Sequence, residues 1–404
     1  MANHYVFNDQ LPVAPLKIAA LESCVELATK VNDHIVDFRR NDTEELLRRQ
    51  ENIHYRGYDA DCYLLDLKCP RFGTGEGKGV INESVRGTDV FVMVDVMNHS
   101  LSYTVNGLIN HMSPDNHYQD LKRIVNAATA TAHRVNVIMP FLYESRQHKR
   151  TKRESLDCAL ALRELVDMGV SNIITFDAHD PRVQNSIPLS GFDNFLPTYQ
   201  FVKTLFSKVK DLTIHKDSLM IISPDEGAMN RAVYLANNLG VDMGMFYKRR
   251  DYSQVINGRN PIVAHEFLGA SVEGKDVIIM DDMIASGESM MDTAKALKDR
   301  KARRIMICAT FGLFTNGLDK FDEYYEKGVI DYVCTTDLNY RDPDLFTRQW
   351  YLEADMSKYL AAIINTYNHD VSIGKTLSPT YKIQKFMRKY FSASDGYEYF
   401  EQLT

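Results

Sequence analysis

The chain has little of what would place it in several common classes. Its 404 residues hold one tryptophan and six cysteines. Cys24, Cys62, Cys69, Cys158, Cys308 and Cys334 are scattered and form no C-x-x-C pair. That excludes a zinc ribbon or a disulfide framework and fits free thiols in a reducing compartment. No apolar run approaches the ~18–20 residues of a membrane span. The opening MANHYVFNDQLP lacks the basic-then-apolar order of a secretory signal. The expectation is a cytoplasmic protein with no membrane partner. Low-complexity tracts and short-period repeats are missing too. Nor is there an excess of positive charge: 47 Lys and Arg face 54 Asp and Glu, for a net charge of −7. A nucleic-acid-coating protein is usually basic, so no nucleic-acid partner is expected. A local basic site for a small anion stays open.

What is present is an alternation of short apolar runs and amphipathic stretches. In the first half the runs at 16–20, 62–67, 89–96, 136–139 and 172–176 read as strands. The stretch 89–96, DVFVMVDV, is apolar almost throughout, as in a parallel strand buried on both faces. Helical spacing marks 22–32, 119–133 and 155–169, the last with Ser155 as cap and Gly169 as stop. Residues 36–60 are highly charged and predict an exposed helix and loop. Residues 97–118 are polar and turn-rich. The second half repeats the alternation, with strands at 219–222, 241–247, 276–280, 304–310 and 332–335 and helices at about 289–300 and 357–367. This pattern predicts an α/β protein with parallel sheets. Two similar domains are expected, at 1–190 and 191–377, with insertions at 36–60 and 97–118. The 378–404 tail carries no assignment.

Several segments carry chemistry. In VIIMDDMIASGES (277–289) an apolar strand leads to two carboxylates, a small-residue turn and a helix start. Ligands of open α/β sheets sit at the carboxyl ends of strands. Ala285, Ser286, Gly287, Glu288 and Ser289 can present backbone N–H groups and two hydroxyls to a phosphate. Asp281 and Asp282 could accept hydrogen bonds from vicinal sugar hydroxyls or bind a metal through water. A carboxylate pair alone would read as a capped turn, but the strand before it and the turn after it favour a ligand. The run Arg146–Arg153 has five Lys or Arg in eight residues and could neutralise a polyphosphate. Asp177 and His179 follow one strand and Asp225 follows another, a set able to hold Mg²⁺. Lys248, Arg249 and Arg250 close a strand, where three adjacent cations repel unless an anion is near.

These segments, in this order, resemble the ribose-phosphate diphosphokinases, or phosphoribosyl pyrophosphate synthetases. The likeness rests on RFGTGE (71–76), NESVRGTDVFV (82–92), IMPFLYESRQHKRTKRES (138–155), ITFDAHDPRVQ (174–184), IISPDEGAMNRA (221–232), YKRR (247–250) and the 277–289 loop. It covers about residues 16–377. It implies two tandem type I phosphoribosyltransferase-like domains with parallel sheets flanked by helices.

The resemblance further implies transfer of the diphosphoryl group of MgATP to the anomeric hydroxyl of ribose 5-phosphate. Arg146, Gln147 and His179 would contact ATP, with Phe72 and Glu76 reaching the adenine in a neighbouring subunit. Lys248 and Arg250 would stabilise the transferring group. His179 and Asp225 would hold Mg²⁺, and residues 281–289 ribose 5-phosphate. A shared site implies a homo-oligomer built on dimers, with a hexamer as one form. The sequence departs from the family pattern at Gly73, Thr74, Ala285, Glu288 and Phe311. Two alternatives therefore stand beside the active synthetase: a non-catalytic regulatory subunit and a base phosphoribosyltransferase.

Overall fold

The structure is a computed structural model that describes residues 10–48, 55–250 and 262–392. Two compact units share the chain. The first takes the chain up to Leu196, then Asp337–Tyr340 and Asp355–Ser378. The second takes Pro197–Thr336, Arg341–Ala354 and the residues from Pro379 onward.

The first unit contains β1 (Leu16–Ala20), α1 (Val25–Arg48), β2 (Leu67–Lys68), β3 (Val80–Ile81), β4 (Asp89–Met93), β5 (Ser102–Val105), β6 (Leu108–His111), α2 (Pro114–Thr129), β7 (Arg134–Ile138), α3 (Asp157–Asp167), β8 (Asn172–Phe176) and β9 (Gly191–Phe195). Its main sheet runs β1-β4-β7-β8-β9, and every neighbour pair is parallel. All five residues of β4 are buried, which is why its sequence shows no polar alternation.

The second unit contains α4 (Thr198–Lys208), β10 (Leu219–Ser223), α5 (Met229–Leu239), β11 (Asp242–Arg250), β12 (Ile262–Leu268), β13 (Asp276–Ile284), α6 (Glu288–Asp299), β14 (Arg304–Gly312), α7 (Asp319–Glu326), β15 (Tyr332–Thr336) and β16 (Tyr351–Ala354). Its seven-stranded sheet runs β12-β11-β10-β13-β14-β15-β16. Only the β11–β12 pair at its edge is antiparallel. Two apolar clusters pack against this sheet, one including Leu205, Leu235 and Phe386, the other Met291, Phe321 and Trp350.

The C-terminal helices divide between the units. After β16 the chain returns to the first unit as α8 (Ser357–Asn368) and α9 (Gly374–Leu377). It then rejoins the second as α10 (Pro379–Ser392), whose Ile383 and Phe386 enter the core. The expected boundaries were contiguous; packing makes them interleaved. Helix α8 lies on α1, where the fully buried Arg39 donates to Asn365 Oδ1 (3.1 Å) and Asn368 Oδ1 (2.6 Å). The segment expected as an exposed charged helix from residue 36 is thus half core, with Val36, Phe38, Arg39 and Asp42 buried. Three local readings also shift. Residues 102–111 form a hairpin turning at Asn106-Gly107, both at positive φ. Helix α2 starts at Pro114, capped by Ser113. Helix α3 starts after Leu156, while Ser155 Oγ donates to Asp157 instead of capping (2.6 Å). Among the described residues no helix is long and apolar enough to cross a membrane.

Both sheets are pinned at the amino ends of their strands by the same device. Asp89 opens β4, is fully buried, and pairs in register with Arg134 of β7. The Arg134 Nε and Nη2 donate to its two oxygens at 2.9 and 2.7 Å. Asp276 opens β13, is fully buried, and pairs in register with Arg304 of β14. Arg304 donates at 3.0 and 2.7 Å, and Arg303 adds a second guanidinium. Burial alone would raise the Asp276 carboxyl. The hydrogen bonds from Arg304 and Arg303 outweigh it and hold the group below its ordinary value. A depressed carboxyl contributes stability that is present above its unfolded value, near ~3.9, and lost as pH falls through the folded one. Asp276→Asn leaves buried cationic surface uncompensated and is expected to cost about 3–5 kcal/mol. Urea unfolding at pH 7 and at pH 3 checks this: the gap between variant and wild type should narrow at the lower pH.

Candidate active site

In the second unit the candidate loop grows out of the sheet. Strand β13 does not end at the carboxylates but runs through them to Ile284, with β14 alongside as far as Gly312. Asp281 and Asp282 are therefore strand residues whose side chains alternate between the two faces. Asp282 is buried, and its Oδ2 lies 3.7 Å from Arg231 Nη2 on α5. Asp281 is partly buried, and its Oδ1 accepts from the Asp282 N–H at 2.9 Å. Burial first, then the negative charges of Asp282 and Asp225, push the Asp281 carboxyl well above its ordinary value. Like charges are thus massed at one strand end. A cation or hydroxyl donors at that point would relieve the repulsion.

Ala285, Ser286 and Gly287 then turn the chain into α6. The Ala285 carbonyl accepts from Thr315 N (3.0 Å), which ties the turn to the segment after β14. Gly287 is the N-cap of α6 at φ 80°. A Cβ there would run into the ring of Phe321, so glycine is required by conformation and by space. The first N–H groups of α6 have no intrahelical acceptor. Ser286 Oγ lies 3.5 Å from Glu288 N. Glu288 and Ser289 are exposed. The Glu288 carboxylate sits in the first helical turn, where the dipole favours it. Phe311 is buried in β14 opposite Met283.

Asp225 follows β10. Its Oδ1 accepts from the N–H groups of Gly227 (2.9 Å) and Ala228 (3.3 Å), which orients the turn into α5. Lys248 and Arg250 are the seventh and last residues of β11. Their side chains, and residues 251–261 beyond them, lie outside the described ones.

In the first unit two adjacent strand ends meet. The segment after β7 leads through Pro140 into the basic run. Arg146, Lys149, Arg150, Lys152 and Arg153 are exposed, while Gln147 is tied down. The Gln147 Nε2 donates to Ser155 O at 2.7 Å, and its backbone N–H to Glu144 O at 2.8 Å. After β8 the chain passes Asp177, buried at φ 42°, to the exposed His179. Asp180 binds Arg182 through both oxygens. Those hydrogen bonds hold its carboxyl down at about 2. His148 of the basic run reaches this second loop, with Nε2 3.5 Å from Asp180 Oδ2 and its ring 5.4 Å from that of His179.

Phe72 and Glu76 lie on the turn between β2 and β3. The Phe72 N–H donates to Glu76 O (2.7 Å), and the Gly75 N–H to Phe72 O (2.8 Å). The Phe72 side chain stays 53% exposed, with Lys78 Nζ 5.8 Å above its ring. Thr74 Oγ1 holds Glu76 at 2.8 Å. The preceding Arg71 anchors the turn to α2 through Asp120 at 2.8 and 2.7 Å.

Sequence reading singled out Arg146, Gln147, His179 and residues 281–289, and each lies in a loop, a strand end or the first helical turn at the carboxyl edge of its sheet. It missed Arg231, which faces Asp282, and the inward turn of His148. Both stood inside the motifs, but no spacing rule told them apart from their solvated neighbours.

Family models extend these local observations over both halves. Residues 16–169 match the N-terminal domain of ribose phosphate pyrophosphokinase, and residues 193–347 match the phosphoribosyl transferase domain. The chain is 30% identical over 285 residues to a ribose-phosphate pyrophosphokinase of Thermotoga maritima, covering 69% of this chain and 80% of that one. A ribose-phosphate pyrophosphokinase of Vibrio parahaemolyticus is 29% identical over 342 residues, covering 83% and 96%. The crystal structure of phosphoribosylpyrophosphate synthetase from Mycobacterium smegmatis superposes with a TM-score of 0.66 at 20% identity, covering 88% of this chain and 99% of that one. That likeness bears on the fold, which is two tandem phosphoribosyltransferase-like domains. The chain belongs to the ribose-phosphate pyrophosphokinase family.

Gly287→Ala tests the construction of the 285–289 turn. The positive φ alone costs an alanine about 1–2 kcal/mol, and displacement of Phe321 adds to it. A lowered melting temperature is expected, with far-ultraviolet circular dichroism unchanged. An unaltered melting curve would mean that the turn relaxes freely.

Proposed function

We propose that this chain is an active, cytoplasmic ribose-phosphate pyrophosphokinase that makes phosphoribosyl pyrophosphate and AMP from ATP and ribose 5-phosphate. The observation that carries the reading is a division of labour within a chain matched to that family along both halves. The first unit offers a cationic loop at its carboxyl edge. The second offers a small-residue turn, helix amides and a carboxylate pair.

The anomeric hydroxyl of ribose 5-phosphate attacks the β-phosphorus of ATP, and AMP leaves. Phosphoryl transfer of this kind depends on positioning and on neutralising charge, so no covalent nucleophile is required. Ser286, Ser289 and the amides of residues 285–289 hold the 5-phosphate. Asp282, fixed by Arg231, and Asp281 beside it receive the ribose hydroxyls. Arg146 and Gln147 bind ATP; the bonds from Gln147 to Ser155 and Glu144 keep that loop in shape. Lys248 and Arg250 balance the charge that develops on the transferring group.

The residues present fit Mg²⁺. The charge massed at Asp225, Asp281 and Asp282 suits a hard divalent ion. Among the described residues no group of three or more His, Cys, Asp or Glu could hold a metal alone. Mg²⁺ is commonly completed by water and substrate phosphates. His179 and Asp225 are its assigned protein partners, and it would supply charge neutralisation on the polyphosphate.

The exposed Phe72 on its braced turn supports a homo-oligomer in which this ring reaches the adenine of a neighbouring subunit. Mixing Phe72→Ala with Lys248→Ala protein should then restore part of the activity that each lacks alone.

A coupled assay of AMP formation tests the whole reading. Wild-type protein should form AMP only with ribose 5-phosphate and Mg²⁺ together. Lys248→Ala should lose at least ~10²-fold in kcat, as for one lost charge-stabilising group. His179→Ala should be impaired as well. Absence of AMP formation by the wild type would favour the non-catalytic subunit. Release of pyrophosphate on adding a free base to phosphoribosyl pyrophosphate would favour the base phosphoribosyltransferase.

A further inference from the structure

The hairpin of β5 and β6 sits in a segment without charge. Residues 97–114 hold no Asp, Glu, Lys or Arg, in a chain where those four types make up 25%. Nor does the hairpin contain proline. Strand edges left in water are commonly guarded by charged side chains, by proline or by a bulge, because an unguarded edge pairs with another strand. This hairpin has none of the three. Its register runs unbroken from Ser102↔His111 to Val105↔Leu108. Each strand has only the other as a strand neighbour among the described residues, and a lone two-stranded hairpin has marginal stability in water.

Part of the hairpin is used within the first unit. Tyr103 and Val105 are half-buried. The Arg71 Cζ lies 5.3 Å from the Tyr103 ring centre, and a Cβ on Gly75 would lie 3.2 Å from Val105 Cγ2. The hairpin thus rests on the turn that carries Phe72. Strand β6 stays open. Leu108 and Ile109 are 69% and 72% exposed, and His111 is exposed as well. The ladder shows which backbone groups face outward. The Met112 N–H donates to Leu101 O at 2.9 Å, and bonded and non-bonded pairs alternate along an antiparallel ladder. Tyr103–Asn110 and Val105–Leu108 are therefore the bonded pairs. Ile109 and His111 aim their N–H and C=O groups away from β5.

We propose that β6 pairs antiparallel with β6 of a second copy of this chain, about a two-fold axis at Asn110. Ile109 of each copy then exchanges hydrogen bonds with His111 of the other, and every outward-facing backbone group of β6 between them is satisfied. Two-fold pairing brings one patch against itself. A charged edge would repel its own copy, whereas this uncharged one meets no such penalty. Its four residues bury far less than the ~800 Å² per partner of a stable interface, so the hairpin is one arm of a larger contact. The adjoining Phe72 turn extends it. That choice of partner rests on the reading of Phe72 as a ring that reaches a neighbouring subunit.

Cross-linking of the full chain tests the axis. The Cα atoms of a non-hydrogen-bonded antiparallel pair lie about 4.5 Å apart, within disulfide reach. Under mild oxidation Asn110→Cys should give a dimer linked through position 110, located by peptide mapping because Cys62 is exposed too. Ser102→Cys, on the other strand, should give none through position 102. Charge tests the surface. Ile109→Lys and Ile109→Glu should each weaken self-association at least ~10-fold in sedimentation, since like charges then face each other. An equimolar mixture of the two should associate again, and melting curves check that both fold. A monomeric wild type overturns the proposal, as do linkage through 102 in place of 110, an assembly that neither charge weakens, or no recovery on mixing. Complementation between Phe72→Ala and Lys248→Ala is read separately. Complementation with an assembly indifferent to Ile109→Lys sinks only the hairpin inference. Linkage through 110 without complementation sinks only the reading of Phe72.

Discussion

Everything above the two sheets depends on a buried ion pair below them. A parallel strand buried on both faces has little to fix its register, because one apolar residue replaces another at small cost. Asp89 with Arg134, and Asp276 with Arg304, remove that freedom. Each aspartate is fully buried and meets its arginine as the in-register partner on the next strand. A slip by one residue would strand a charge in an apolar core, at a cost of several kcal/mol. The first pair extends further. Asn136 and Asn368 also donate to Asp89 (2.8 and 2.9 Å), and Arg134 donates to the Tyr367 carbonyl (2.8 Å). One carboxylate thus ties β4, β7 and α8 together.

With register fixed at the amino ends, the carboxyl ends are free to carry chemistry. The two units use them for opposite purposes. In the second, carboxylates and small residues occupy the end of the central strand. In the first, the corresponding position after β7 carries cations. The same scaffold supports both because its stability is anchored at the other edge. Changes at the loops, such as Ala285 and Glu288, leave the pinning pairs untouched.

Most of the parallel strands were plain in the sequence, though the run at 62–67 enters a strand only at its last residue and β9 and β16 were not read. The runs at 16–20 and 172–176 coincide with β1 and β8, since each is short, apolar and sharply stopped. The motifs that carry the site were legible for the same reason: small residues and charges interrupt an apolar background. What stayed hidden depends on distant partners. The polar face of α1 reads as exposed because Asn365 and Asn368, which satisfy Arg39, lie more than three hundred residues away. The continuation of β13 through Asp281 and Asp282 was hidden because carboxylates in a strand look like its end. The hairpin at 102–111 carried a legible Asn-Gly signal that the surrounding polar residues masked. His148 and Arg231 were unreadable because only a side chain's direction sets either apart from its neighbours.

The return of α8 to the first unit also has a consequence for biosynthesis. That helix buries α1 and supplies Asn365 and Asn368 to Arg39 and Asp89. A ribosome delivers it after the whole of β16, when nearly all of the second unit has been made. The unit that begins first is therefore completed only after most of the second has been made. Until then α1 keeps an apolar stripe and a charged guanidinium without their cover. Nascent domains usually fold as units in order of synthesis. This one must wait until most of the other unit has been synthesised.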